Sequence, residues 1–433
     1  MNYIKGSIVL AMTLLVSCLP AGRDRNSTAD SGKGDILVGE YGSMTGPQAT
    51  FGQSTHNGIM LAMDEINAAG GVNNRKIRVI TEDDQSKAEE AANAVTKLIS
   101  QNNVIGVLGE VASSSSLAAA PICQSNKVPM ITPSSTNERV TQVGDYIFRV
   151  CFIDPFQGEV MAKFAINTLK AKTAAVLTDV NSDYSRGLDQ FFTDKFTKMG
   201  GRIVEKQSYT QTDQDFSGQM TAIRSANPDV IYVPGYYGQV GVIAKQAKQL
   251  GIKAPLMGGD GWDAPQLFQL GGEALNGSFF SNHYSYEDPR PEVKAFVDAY
   301  RARYNAIPDA IAALGYDAMK VLADAIKRAA ATDGQKLRDA IAQTANFQGV
   351  TGTISINQER NAVKPATVFE LQSGKYVFKE NIYPEGMTPP ASATGSPANT
   401  NTANANTAGA GNSNTAPSPA AANANTANTA NTR

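Results

Sequence analysis

From residue 35 onward, short apolar runs alternate with longer amphipathic stretches. The short runs predict strands over 36–41, 77–81, 104–108 and 129–132. The stretches between them, at 52–69, 87–100 and 117–125, repeat their apolar positions every three to four residues, as helices do. Gly70-Gly71 closes the first of these helices. After Asp154-Pro155 the pattern restarts with a helix to 169, a strand over 173–178 and a helix over 184–199. A strand over 202–209, a helix near 215–225, a strand over 230–234, a helix to 250 and a strand over 256–258 follow. Late helices over 291–304, 309–328 and 334–344 and strands over 351–356, 367–371 and 376–380 complete the series. Strands separated by helices predict parallel sheets with crossover helices, because parallel neighbours cannot be joined by a tight turn. Two such series predict an α/β protein with two doubly wound parallel-sheet lobes.

The two ends depart from this pattern. Residues 1–17 pair a positive Lys5 with an apolar run too short to span a bilayer, the form of an export signal. The run ends in Leu15-Val16-Ser17-Cys18, which resembles a bacterial lipobox and marks Cys18 for lipidation. The mature protein is therefore expected outside the cytoplasm, periplasmic or at the cell surface, anchored to a membrane through Cys18. Residues 18–34 read as a polar tether. Residues 386–433 are all Ala, Asn, Thr, Ser, Pro or Gly except Met387 and Arg433. A tail so poor in apolar surface cannot offset its ordering entropy and is expected to be disordered.

Composition narrows the function. Of 433 residues, 38 are Lys or Arg and 40 are Asp or Glu, a net charge of −2 that offers no basic face to a nucleic acid. Two histidines and three cysteines occur without metal-ligand spacing, so neither a metal nor another cofactor is expected. Of the two histidines, His283 lies in a loop with no evident acid partner. Cys123 and Cys151 are left open as a disulfide or two buried thiols. The chain lacks a Gly-x-Ser-x-Gly elbow, a phosphate-loop Gly-x-x-x-x-Gly-Lys pattern and a Gly-x-Gly-x-x-Gly turn after a strand, so an enzyme is not expected.

Sites in open parallel sheets lie beyond the carboxyl ends of the strands. There this sequence places the serine run Ser113–Ser116, Pro133-Ser134-Ser135-Thr136, a loop ending at Tyr184, Gly235-Tyr236-Tyr237, and Gly258-Gly259-Asp260-Gly261-Trp262. Each has a plain alternative. Ser113 or Ser114 can cap a helix, Thr136 and Asp260 can serve turns, and the tyrosines and Trp262 can be packing. Taken together, hydroxyls and a helix N-terminus on one lobe suit a carboxylate, and aromatics with Asp260 on the other suit an ammonium. The set complements a small zwitterion held between two lobes.

These motifs, with Gly39-Glu40-Tyr41-Gly42-Ser43-Met44-Thr45-Gly46, Ala68-Ala69-Gly70-Gly71-Val72 and Tyr184-Ser185-Arg186-Gly187, resemble the substrate-binding proteins of branched-chain amino acid ABC transporters. The resemblance spans residues 35–380. It implies a type I periplasmic-binding fold whose two lobes close about a three-segment hinge. The lobes it implies are 35–154 plus 285–364 and 155–284 plus 365–385. It implies that Ser113 and Thr136 bind the ligand carboxylate and amine, that the backbone carbonyl at Ser134 meets the amine, and that Tyr184 and Tyr236 cover the ligand. Asp260 falls where the family has an acidic residue, often Glu, paired with the ammonium. Phe51 falls on an aromatic position of the side-chain pocket, and Trp262 bears on side-chain choice. Ala112 stands where some members carry a disulfide cysteine. The implied partners are an aliphatic amino acid and the permease of an ABC transporter, with the protein a monomer. A ligand sensor for another small amine or amide, feeding a receptor, is the alternative.

Overall fold

The structure, a computed structural model, describes residues 34–387. The export signal, Cys18, most of the tether and the tail from 388 onward lie outside the described residues.

The apolar run at 36–41 is an inner strand of a five-stranded parallel sheet. β1 (Ile36–Gly42) pairs with β2 (Ile77–Asp83) on one side and β3 (Gly106–Leu108) on the other, and β4 (Met130–Thr132) and β5 (Ile147–Arg149) extend it to the order β2-β1-β3-β4-β5. Every pairing is parallel, and the inner strands β1, β3 and β4 are buried along nearly their whole length, as a sheet covered by helices on both faces requires. The second sheet holds β6 (Thr173–Asp179), β7 (Arg202–Tyr209), β8 (Val230–Tyr232), β9 (Leu256–Gly258) and β10 (Ser278–Asn282). It is parallel through these strands in the order β10-β9-β8-β6-β7. A ribbon of β11 (Phe347–Gly349) and β12 (Gly352–Ile354) precedes β13 (Ala366–Gln372) and β14 (Lys375–Ile382), which close the second sheet's edge as an antiparallel hairpin on β10. This is the doubly wound α/β architecture that the periodicity predicts.

The sequence pattern misses β5, β10, β11 and the helix Pro265–Gly271, all short. Three-residue strands leave too few positions for an apolar period, and β10 reads Ser-Phe-Phe-Ser-Asn, with no alternation. The helix expected over 117–125 starts earlier, at Ser113, because the serines form its first turn. Among the described residues no helix is long and apolar enough to cross a membrane.

The chain passes between the sheets after β5, after β10 and again before β13. Buried charges tie these passages together. Lys364 Nζ donates to the Val150 carbonyl at 3.2 Å and to Thr351 Oγ1 at 2.5 Å, while Asp317 accepts from the amides of Val350 and Thr351, both at 2.9 Å. Asp263 accepts from Asn282 Nδ2 at 2.9 Å and from the Ala310 amide at 2.8 Å. The late helix Ala310–Ala329 returns to the first sheet and crosses the helix Ala49–Ala68 backbone to backbone. A Cβ at Gly58 would strike the Ala312 carbonyl and one at Gly315 the Thr55 carbonyl, so both glycines are required by the crossing. Cys123 and Cys151 are buried free thiols, which decides the alternative left open by the sequence.

Candidate functional site

The first sheet supplies hydroxyls and amides. The helix Ser113–Ser125 follows β3, and its N-cap, Ala112, offers no side-chain cap. The amides of Ser113, Ser114 and Ser115 thus have no carbonyl one turn back and carry the positive end of the helix dipole. Ser113 is not the cap: its Oγ accepts from the Asn137 amide at 3.2 Å, which joins the helix start to the loop after β4. That loop is braced from below by the buried Arg149, whose guanidinium donates to the Ser135 carbonyl at 2.5 Å and to the Asn137 carbonyl at 2.9 Å. The brace holds Ser134 and Thr136, whose hydroxyl oxygens are buried without a hydrogen-bond partner. Ser116 and Ser135 are structural instead, bonded to each other at 2.8 Å and, through Ser135, to the Glu110 carbonyl at 2.8 Å.

The second sheet supplies the carboxylate and aromatics. Asp260 opens a single 3₁₀ turn after β9 and is buried. Its Oδ1 accepts from Gln157 Nε2 at 2.8 Å and from the Tyr184 hydroxyl at 2.9 Å, and its Oδ2 meets His283 Nε2 at 2.9 Å. Tyr184 also accepts from the Gly261 amide at 3.0 Å and stacks on Tyr236, ring centres 5.2 Å apart. His283 therefore has an acid partner, contrary to the sequence reading. The partner lies 23 residues upstream and the two meet only because β10 runs beside β9. Burial pushes the His283 pKa below its ordinary value despite the carboxylate, so the ring is neutral and donates through Nε2. Its other nitrogen is buried and unpartnered, and its ring stacks on Phe152 at 3.7 Å.

Trp262 has no solvent exposure. Its ring stacks on Phe280 and lies against Gly258, where a Cβ would strike it, and its Nε1 donates to the Val233 carbonyl at 3.1 Å. These contacts place it in the core of the second sheet.

The two walls meet. Phe51 packs edge-on against Tyr236 at 5.7 Å and Tyr237 at 4.9 Å, and the Tyr237 hydroxyl donates to the Pro47 carbonyl at 3.0 Å. Ser114 Oγ donates to Asp183 Oδ2 at 2.9 Å, Asn137 Nδ2 to the Asp183 carbonyl at 2.8 Å, and Arg139 to Asp183 Oδ1 at 3.1 Å. Asp183 thus fastens the first wall to the start of the helix Asp183–Lys198. A cleft of about 300 Å³ remains beside these contacts, lined by Gln48, Ser114, Ser115, Ser182, Thr210 and Tyr236 among others. Among the described residues no group of three or more His, Cys, Asp or Glu side chains is arranged to hold a metal ion.

The structure brings Asp260 and Tyr184 into direct contact, joins Tyr236 to both Tyr184 and Phe51, and sets Ser113 against the loop of Ser134 and Thr136. Sequence reasoning missed Asp154, Gln157, Asp183 and the role of His283, and it named Tyr237 at a strand end without giving it a part in the site. Asp154 and Gln157 had a signal, one helical turn apart where the pattern restarts. Asp183 had none for its place in the site, because its partners on the first wall come from 44 to 69 residues away.

A family model described as periplasmic binding protein matches residues 35–375. The chain is 30% identical over 351 residues to a Leu/Ile/Val-binding protein of Rhizobium johnstonii, covering 80% of this chain and 94% of that one. It is 31% identical over 326 residues to a leucine-, isoleucine-, valine-, threonine- and alanine-binding protein of Pseudomonas aeruginosa, covering 75% and 86%. A leucine-binding protein from Thermotoga maritima superposes with a TM-score of 0.79 at 42% identity, covering 81% of this chain and all of that one. A branched-chain amino acid transporter substrate-binding protein from Streptococcus pneumoniae, solved with isoleucine, superposes with a TM-score of 0.77 at 35% identity and the same coverage.

Proposed function

The chain belongs to the periplasmic binding protein family, and on that premise we propose that it captures a branched-chain or other aliphatic amino acid outside the cytoplasm and delivers it to the permease of an ABC transporter. The observation that carries the reading is the facing of unlike walls. Free helix amides and the hydroxyls of Ser113 and Thr136 meet the ligand carboxylate and amine, the Ser134 backbone carbonyl meets the amine, and Asp260 opposite them pairs with the ammonium. Tyr184 and Tyr236 cover the ligand, and Phe51 lines the place of an apolar side chain. The relatives' names, and the isoleucine held by the Streptococcus pneumoniae protein, support an aliphatic amino acid.

Closure is the working step. A ligand that touches both walls favours the closed form by its differential affinity for it. The contacts of Asp183 and Phe51 across the cleft add to closure and set its geometry. The lobes that close are 35–154 plus 285–364 and 155–284 plus 365–385. The permease then reads the closed form, and lipid on Cys18 keeps the monomeric protein near the membrane. No step is catalytic.

A thermal-shift screen of the purified protein tests the reading, with leucine, isoleucine, valine, γ-aminobutyrate, small amides and aromatic acids as probes. A ligand at 100 times its dissociation constant adds about 2.7 kcal/mol of stability and raises the melting temperature. A shift with leucine, isoleucine or valine supports the proposal. A response confined to amine-free acids or amides overturns the amino acid and the role of Asp260.

A further inference from the structure

Asp154 is the first residue of the helix Asp154–Lys163, where the chain first leaves the first sheet. It is fully buried, and neither of its carboxylate oxygens has a hydrogen-bond partner. It follows the N-cap Ile153, and its oxygens accept from none of the free amides of the first turn. Buried carboxylates are normally paired, because an unpaired one is costly. The surroundings of Asp154 are a second anomaly. The buried oxygens of Thr136, Gln157 and Tyr232 are also without partners, and Asp154 Oδ2 faces the bare Gly187 backbone, where a Cβ would come within 3.0 Å. The Asp154 amide donates to the Thr136 carbonyl at 2.9 Å, which fixes the acid beside the hydroxyl assigned to the ligand amine.

Asp260, by contrast, is nearly full. A carboxylate has about four lone-pair sites. Gln157 and Tyr184 occupy Oδ1 and His283 occupies one site on Oδ2, so Asp260 has little left for an ammonium with three N–H donors. From this geometry we propose that Asp154 is a second ammonium-binding carboxylate of the site, taking the amine of the ligand together with Thr136 while Asp260 supplies one further acceptor. The inference rests on the amino acid reading above and deepens it: the site selects a primary ammonium by two acids.

A proton follows from the same arrangement. Burial holds the Asp154 pKa well above the ordinary carboxylate range, with Asp260 and Glu138 adding to the rise. Arg149 pulls the other way, as does the Thr136 hydroxyl beside it, which makes no well-formed bond to either oxygen. The remaining titratable groups facing it are Cys151, Tyr184 and Tyr232, all uncharged at neutral pH because burial raises each. Without a ligand Asp154 thus holds a proton more tightly than an ordinary carboxyl group does. An ammonium beside it favours the carboxylate, so a bound zwitterion draws Asp154 toward its charged form, and any proton it gives up passes to the buffer.

The experiment is calorimetric titration of the full protein with leucine at pH 7 in phosphate and in Tris, whose ionisation enthalpies differ. The parent is expected to release protons on binding leucine, read as a binding enthalpy that differs between the two buffers. Asp154→Asn abolishes the release and weakens leucine by about 30-fold or more, while 4-methylpentanoate, which lacks the amine, binds it no worse than the parent. Asp260→Asn weakens leucine and reduces the proton release without abolishing it, because the Asp260 charge adds to the rise at Asp154. Ligand-free Asp154→Asn melts no lower than the parent, because it removes an unpartnered acid. Leucine binding by Asp154→Asn at parental affinity, or an unchanged proton count, overturns the assignment and leaves the amino acid function standing. A parent that binds no amino acid at all overturns both.

Discussion

Replacing Asp260 by Asn separates charge from shape. The amide oxygen can keep the place of Oδ1 and accept from Gln157 and Tyr184, which now bond it at 2.8 and 2.9 Å. The amide nitrogen then faces His283 Nε2, which lies 2.9 Å from Oδ2. Two donors cannot share that contact, so His283 must move its proton to Nδ1, which is buried with no acceptor. One unpaired buried donor costs about 1–3 kcal/mol of fold stability. Binding suffers more. An ammonium enclosed without one of its counter-charges loses about 2–5 kcal/mol, or roughly 30- to 5,000-fold in Kd. Calorimetric titration with leucine measures the second quantity and a melting scan of the empty protein the first. 4-Methylpentanoate serves as the amine-free control and should lose little. Leucine affinity within about threefold of the parent, with the fold intact, would refute the role given to Asp260.

Other consequences are open to direct test. Asp183→Ala removes the carboxylate's bonds from Ser114 and Arg139 across the cleft and keeps the backbone amide's bond to Ser114 Oγ, and it should weaken the ligand by about 1–3 kcal/mol. The loss should appear mainly as faster dissociation in stopped-flow, with the melting temperature of the empty protein little changed. Trp262→Phe removes the indole bond to the Val233 carbonyl, which keeps its bond from the Gly235 amide at 2.9 Å, and should lower the melting temperature by the equivalent of about 0.5–1.5 kcal/mol, with leucine affinity unchanged. An affinity loss larger than the stability loss would return Trp262 to the ligand pocket. Ser43 Oγ lies 2.9 Å from Asp84 and 3.0 Å from Glu110, so one hydroxyl proton serves two buried carboxyl groups. Burial raises Asp84 to about 6 and Glu110 to about 8, each from an ordinary value near 4. The native state then holds more protons than the unfolded chain from about pH 4 to about 8, and stability falls as pH rises through that window. Melting curves against pH should show the fall, and Glu110→Gln should flatten its upper part.

The fold class, the restart of the pattern at Asp154-Pro155 and the candidate positions at strand ends were all legible in the sequence. An apolar strand or an amphipathic helix writes its own period along the chain, and the strand-end rule then says where to look. Ser113, Thr136, Tyr184, Tyr236 and Asp260 were singled out as candidates that way, each from residues within a few positions of it. What is carried by contacts between distant segments could not be read so. Nothing near His283 in sequence announces Asp260, nothing near Asp183 announces Ser114 and Arg139, and the lone tryptophan's place against Phe280 depends on how β9 and β10 pair. The charge state and spare bonding capacity of a carboxylate depend on what surrounds it in space. For that reason only the tertiary structure decided that Asp260 is nearly saturated and that Asp154, at an ordinary helix start, is buried and bare.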